Sequence, residues 1–229
     1  MTRKEDGMRG STDFEKVLLY FNKCLSADYI HTDKEASFAV ERSGERAVIY
    51  FEASNGLPDW KHNFRFASRP YTLTGEDYRC HRGFLTAFLS ALPFLEKTVR
   101  DESIKEITVV GYSHGAALAL LCYDYISHKR EDLTGSLFGY GFGTPRVFKG
   151  GISREARLRF RDFTYITNCG DIVTHLPFRL FGYRHVKRQC KIGKRGKYSM
   201  IDAHRPENYQ SELQSAAVEE RRKEFVYDG

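Results

Sequence analysis

A chain of 229 residues, 41% hydrophobic and 29% charged, is long and apolar enough to bury one substantial core, which excludes a wholly disordered or fibrous protein. Its most apolar stretches, Phe84 to Leu95 and Ala116 to Cys122, fall short of the roughly 18 to 20 residues that cross a bilayer. The net charge of +6 is unevenly spread, since no acidic residue lies between Asp171 and Asp202 while Arg179, Arg184, Lys187, Arg188, Lys191, Lys194, Arg195 and Lys197 do. That block reads as a solvated basic hairpin or as a contact for an anionic lipid surface, and no nucleic-acid partner is expected. Met1 to Ser11 is charged and no apolar h-region follows it, so a secretory leader is not indicated. Five scattered cysteines form no CxxC pair and resemble neither a disulfide framework nor a zinc site, which points to a reducing cytoplasm.

The elements follow in chain order as one domain over residues 1–229. Thr12 and Glu15 form a T-x-x-E capping box, and Phe14, Val17, Leu18, Phe21 and Leu25 recur at helical spacing behind it. Ser37 to Glu41 and Arg46 to Phe51 are β runs joined by a turn at Arg42-Ser43-Gly44-Glu45. Phe84, Phe88, Leu92, Leu95 and Val99 mark a second helix, and Ile107-Thr108-Val109-Val110 a buried strand. A helix from Ser113 to about His128 comes next, then β runs at Ser136 to Phe142, Asp162 to Thr167 and Tyr183 to Ile192, with a helix from Arg154 to Phe160 among them. Strands alternating with helices predict an α/β fold with a mostly parallel central sheet and helices on both faces.

Gly111-Tyr112-Ser113-His114-Gly115 matches G-x-S-x-G between a predicted strand and a predicted helix, the context in which that motif forms a nucleophile elbow. The turn must be so sharp that strand and helix nearly touch, which demands small residues at Gly111 and Gly115. It leaves Ser113 Oγ exposed at the sheet edge and aims the His114 backbone N–H at the position where negative charge develops on a substrate carbonyl.

From Ala47 to Tyr209 the chain resembles, in ordered segments, the class 3 lipase family of α/β-hydrolases. Val48 to Ser54 with Asp59-Trp60 is similar to the family's F-R-G-[ST] strand end and following D-W, and His81-Arg82-Gly83-Phe84 to its H-x-G-F. Gly111 to Ala119 resembles its G-H-S-L-G-G-A-L-A elbow, and Gly141 to Val147 its F-G-x-P-R-V. Asn168 to Val173 resembles N-x-x-D-x-V, and Asp202-Ala203-His204 with Tyr209 the closing D-H and Y.

A serine hydroxyl needs a base, and the base an acid that fixes its tautomer. Asp171 follows a β run across a short loop, which hangs it at the carboxyl edge of the sheet; the rival Asp202 reads as a loop-shaping carboxylate. In the order Ser, Asp, His, the base is then His175, His185 or His204. The resemblance implies His204, and leaves His175 to shape the mouth of the site and His185, inside the basic strand, to a surface or packing role. It also implies a second oxyanion donor at Ser54, although Glu52-Ala53 stands where the family has Arg-Gly. Leu57, Trp60 and Phe64, spaced by three and four, occupy the position of the family's mobile lid, or form a fixed apolar turn. The expected activity is hydrolysis of lipid-like carboxylic esters through an acyl-enzyme, with no metal or organic cofactor. An acyltransferase with the same triad and a non-catalytic binding protein on a hydrolase fold are the alternatives.

Overall fold

The computed structural model describes residues 12–53, 67–75 and 78–227. Among them, seven strands form the central sheet in the order β1-β2-β3-β6-β7-β9-β11. These are β1 (Ile30–His31), β2 (Ser37–Ser43), β3 (Arg46–Phe51), β6 (Glu106–Tyr112), β7 (Leu137–Phe142), β9 (Phe163–Asn168) and β11 (Cys190–Ile192). From β3 to β11 every neighbouring pair is parallel, while β1, β2 and β3 pair antiparallel. The β2–β3 turn pairs Ser43 with Arg46 and places Gly44 at a φ of 59°, a left-handed conformation that glycine adopts without a Cβ penalty.

Side chains of β6 alternate between two cores, as a strand buried on both faces requires. Ile107 and Val109 pack with α2 (Arg82–Val99) and α3 (His114–Lys129). Val110 and Tyr112 pack with α1 (Phe14–Ser26) and α5 (Pro206–Tyr227). The helix α4 (Arg154–Arg159) follows the first face through Ala156. The expected arrangement of helices on both faces of a mostly parallel sheet is thus present, and it is the α/β-hydrolase fold. No described helix is long and apolar enough to cross a membrane.

Three local expectations are corrected. The cap of α1 is Asp13, whose carboxylate accepts from Lys16 N at 2.9 Å, one residue beyond the Thr12 box; Glu15 instead pairs with Arg221 of α5. The basic stretch is not a hairpin. Tyr183–Arg184 (β10) joins a separate antiparallel sheet with β8 (Phe148–Lys149), β5 (Arg79–His81) and β4 (Ser68–Pro70), whereas Cys190–Ile192 extends the central sheet beside β9. Nor is the whole stretch solvated, because Lys187 Nζ donates to Arg161 O at 2.7 Å and Lys197 is tied to Glu212.

Candidate active site

The carboxyl ends of β6, β7 and β9 converge on one cluster. Strand β6 delivers Ser113, whose φ of 57° and ψ of −119° lie where residues other than glycine are rarely found. Two glycines make this turn possible. A Cβ on Gly111 would overlap the backbone of Gly115, and one on Gly115 would overlap the carbonyls of Phe51 and Glu52 at the end of β3. The close approach therefore involves the adjacent strand as well as the strand of the elbow. Ser113 sits at the N-cap of α3, yet its hydroxyl makes no capping bond. It lies instead 2.8 Å from His204 Nε2.

His204 is held in a 3-10 turn, Asp202–His204, just before α5, and only 1% of it is exposed. Its Nδ1 lies 2.8 Å from Asp171 Oδ2. With the Nδ1 proton donated to that carboxylate, Nε2 is left as an acceptor for the serine hydroxyl. Asp171, in the loop after β9, is buried and multiply bonded: Oδ2 also accepts the Tyr209 hydroxyl at 2.6 Å, and Oδ1 accepts Val173 N at 2.8 Å. Tyr209, on the first turns of α5, accepts in turn from Asn168 N at 3.0 Å. Asn168 Nδ2 donates to Ala203 O at 3.0 Å and ties the Asp171 loop to the His204 turn. Gly143, at a φ of 59°, lies against this pair, since a Cβ there would come within 2.8 Å of His204 Cε1 and 3.2 Å of Asp171 Oδ2.

The other candidate residues fall elsewhere. Asp202 accepts from Ser199 Oγ at 2.6 Å and pairs with Arg205 at 2.9 Å, so its carboxylate shapes the turn. His185 is half-buried and Nε2 donates to Thr174 O at 2.8 Å; desolvation pushes its pKa down to about 4 and keeps it neutral. His175 is exposed, and Arg146 holds its loop by donating to its carbonyl and to Pro177 O at 2.9 Å. Desolvation, and then the Arg146 charge, lower the His175 pKa. His114 leads α3, where its backbone N–H is one of the groups a helix leaves without an internal partner. Burial, with His81 nearby, holds its imidazole at about 4. Ser54, Leu57, Trp60 and Phe64 lie outside the described residues. Glu52, in the place of the family's arginine, turns its carboxylate to 3.8 Å from His31 Nδ1 at the β1 edge.

The sequence reading did not single out Tyr112 or the bond from Tyr209 to Asp171. The closing-Y match was the one signal for the second, and nothing in the motif carried the first. Chemically, a hydroxyl, an imidazole and a buried carboxylate in an unbroken hydrogen-bonded chain can deprotonate the hydroxyl as it attacks an electrophilic carbon.

Residues 48–181 match the sequence model of "Lipase (class 3)". A lipase of Rhizomucor miehei is 30% identical over 70% of this chain and 45% of its own length. A secreted mono- and diacylglycerol lipase A of Penicillium cyclopium is 26% identical over 72% of this chain and 54% of its own. The chain thus spans about half the length of the curated relatives it matches. A solved triacylglycerol lipase whose catalytic centre is a serine protease triad superposes with a TM-score of 0.70 at 22% identity, covering 82% of this chain and 84% of that one. The relatives named as secreted overturn the expectation of a cytoplasmic protein. Unpaired cysteines did not discriminate the compartment, because Cys24, Cys80 and Cys122 are core side chains and burial pushes the thiols of Cys24 and Cys80 up to about 12, far from the reactive thiolate. The matched segment covers more than half of the sequence and includes the elbow and Asp171, and by that match the chain belongs to the class 3 lipase family.

Proposed function

We propose that the protein, as a single domain over residues 1–229, hydrolyses carboxylic esters of glycerolipids at a lipid surface outside the cell. Ser113 Oγ attacks the ester carbonyl while its proton passes to His204 Nε2, and Asp171 stabilises the imidazolium that results. The oxyanion is held by the His114 backbone N–H and by Ser54. Collapse breaks the bond to the alkoxy oxygen, which takes the proton from His204 and leaves as the alcohol. Water repeats the sequence on the acyl-enzyme and releases the fatty acid. Leu57, Trp60 and Phe64 cover the acyl pocket, and His175 lies at its mouth. Supporting this reading above all is the chain from Ser113 to His204 to Asp171, with both links at 2.8 Å and the serine in a left-handed turn at the head of a helix. The names of the mono- and diacylglycerol lipases support the substrate class. The exposed cations of the stretch between Asp171 and Asp202 support a preference for anionic surfaces.

A fluorophosphonate probe should label the purified protein rapidly, since only an activated serine reacts quickly. Ser113→Ala should abolish labelling, and Ser113→Ala and His204→Ala should each reduce hydrolysis of short p-nitrophenyl esters by several orders of magnitude. The double variant should lose little more, because members of such a unit do not contribute additively. Substantial turnover by either single variant would overturn the assignment.

A further inference from the structure

Tyr112 ends β6 immediately before the nucleophile, where the family segment it resembles has histidine. Its ring stacks on the His204 imidazole, with centroids 5.3 Å apart and planes 23° from parallel. Its hydroxyl donates to the His204 backbone carbonyl. Phe21 packs edge-on against the tyrosine ring at 5.5 Å, and Tyr209 at 5.7 Å, so the ring is boxed in and only 5% of the residue is exposed. Burial, and then the Asp171 charge, raise the phenol pKa far above its ordinary value and keep it a donor.

The bonds from His204 to Asp171 and to Ser113 are made at its two ring nitrogens, Nδ1 and Nε2. Together they fix where the two nitrogens sit, but they leave the ring free to tilt about the line joining them. A flat ring against one imidazole face removes that freedom, and the bond to the carbonyl fixes the turn that carries the side chain. We infer that Tyr112 is a positioning residue that sets the tilt of His204 and lends its ring face to the imidazolium formed when Ser113 gives up its proton. The inference rests on the reading of His204 as the base. The face of an aromatic ring is electronegative, so it attracts the charged form more than the neutral one. That contribution exists only while the proton is on His204, so it belongs in kcat and not in substrate binding.

The test compares Tyr112→Met, which fills the space without a ring, with Tyr112→Phe, which restores the ring without the hydroxyl. Tyr112→Met should lower kcat by roughly tenfold or more with KM changed less than about twofold, and should move the acid limb of the kcat/KM profile to lower pH, since the imidazolium has lost its ring face. Tyr112→Phe should return the acid limb to its wild-type position and recover most of kcat. The remaining deficit of about threefold reflects the lost anchor on the turn. Loss of packing alone would not restore a pH limb on return of a ring. Should Tyr112→Met fail to fold, Tyr112→Phe decides: a deficit in kcat with an unmoved acid limb supports the inference, and full wild-type kcat overturns it. Folded Tyr112→Met with wild-type kcat and pH profile also overturns it. Ser113→Ala separates the two readings, because hydrolysis surviving there overturns the site assignment and this inference with it. Hydrolysis lost in Ser113→Ala but unchanged in Tyr112→Met overturns this inference alone.

Discussion

At the scale of single residues the site is shaped as much by missing side chains as by present ones. Gly143 and Gly150 both have a left-handed backbone, at φ of 59° and 96°, but only Gly143 has His204 and Asp171 against the place where a Cβ would stand. Gly150→Ala should therefore cost about 1 to 2 kcal/mol of stability through backbone strain and leave turnover intact. Gly143→Ala should carry the same strain and also push the His204 ring aside, lowering kcat by roughly tenfold or more, as misplacement by even 1 Å weakens an oriented site. Thermal melts and ester kinetics on the two variants check this, and equal kinetics would remove Gly143 from the site's geometry. Much at this scale was legible beforehand. Ser113, Asp171 and His204 lie within hydrogen-bonding distance as the motif series required, and Asp202 and His185 have the structural contacts expected of them. Tyr112 was not legible, because the residue before Ser113 can turn to either face of the sheet edge, and only the packing of the turn before α5 determines what it meets.

Among the elements, the loop after Asp171 carries the second clear consequence. Arg146 pins its backbone from below, and beyond the pinned segment the 3-10 turn Arg179–Phe181 pushes Leu180 into solvent at 90% exposure, beside the exposed Phe178. Arg179, Arg184, Arg188, Lys191, Lys194 and Arg195 are likewise exposed, whereas Lys187 and Lys197 are committed to other parts of the protein. Binding to vesicles should accordingly rise with anionic lipid content and fade with salt, as exposed charges are screened over roughly 8 to 10 Å. Arg179→Gln with Arg184→Gln should weaken it, and Lys187→Gln should not. Equal binding of wild type to neutral and anionic vesicles would exclude the electrostatic part. The helices and long strands here could be read from periodicity, since Phe84 to Val99 and Glu106 to Tyr112 each have one strong pattern. The division of Tyr183 to Ile192 between two sheets could not, because β-propensity says that a segment is extended without naming its partner. The smaller sheet escaped notice for a related reason, as strands of two or three residues are too short to show a period.

For the molecule as a whole, buried titratable groups set the response to acid. His114 and His185 have pKa values held down at about 4 by burial, against an ordinary value near 6.5 in the unfolded chain. Above about pH 6.5 both states leave these rings neutral and they contribute nothing to pH dependence. As pH falls from there toward 4 the unfolded chain takes up protons that the folded one refuses, so stability is lost. Asp124, whose pKa is raised by burial, acts in the opposite sense and partly offsets the loss. The melting temperature should fall between pH 6.5 and 4.5, and His185→Gln should flatten the slope; an unchanged slope in that variant would show that the histidine is already charged when folded. The same outer helices that enclose the site also govern when it comes into being. Phe14 N donates to Glu220 across 206 positions of sequence, joining α1 to α5. Contacts between such distant positions bear the largest loop-closure cost and form late in folding. The helix α5 also brings Tyr209 to Asp171, and it begins directly after the turn that carries His204. Strands β3, β6 and β7 can therefore assemble around Ser113 before His204 reaches it, and the hydrogen-bonded chain from Ser113 through His204 to Asp171 is completed only as α5 docks.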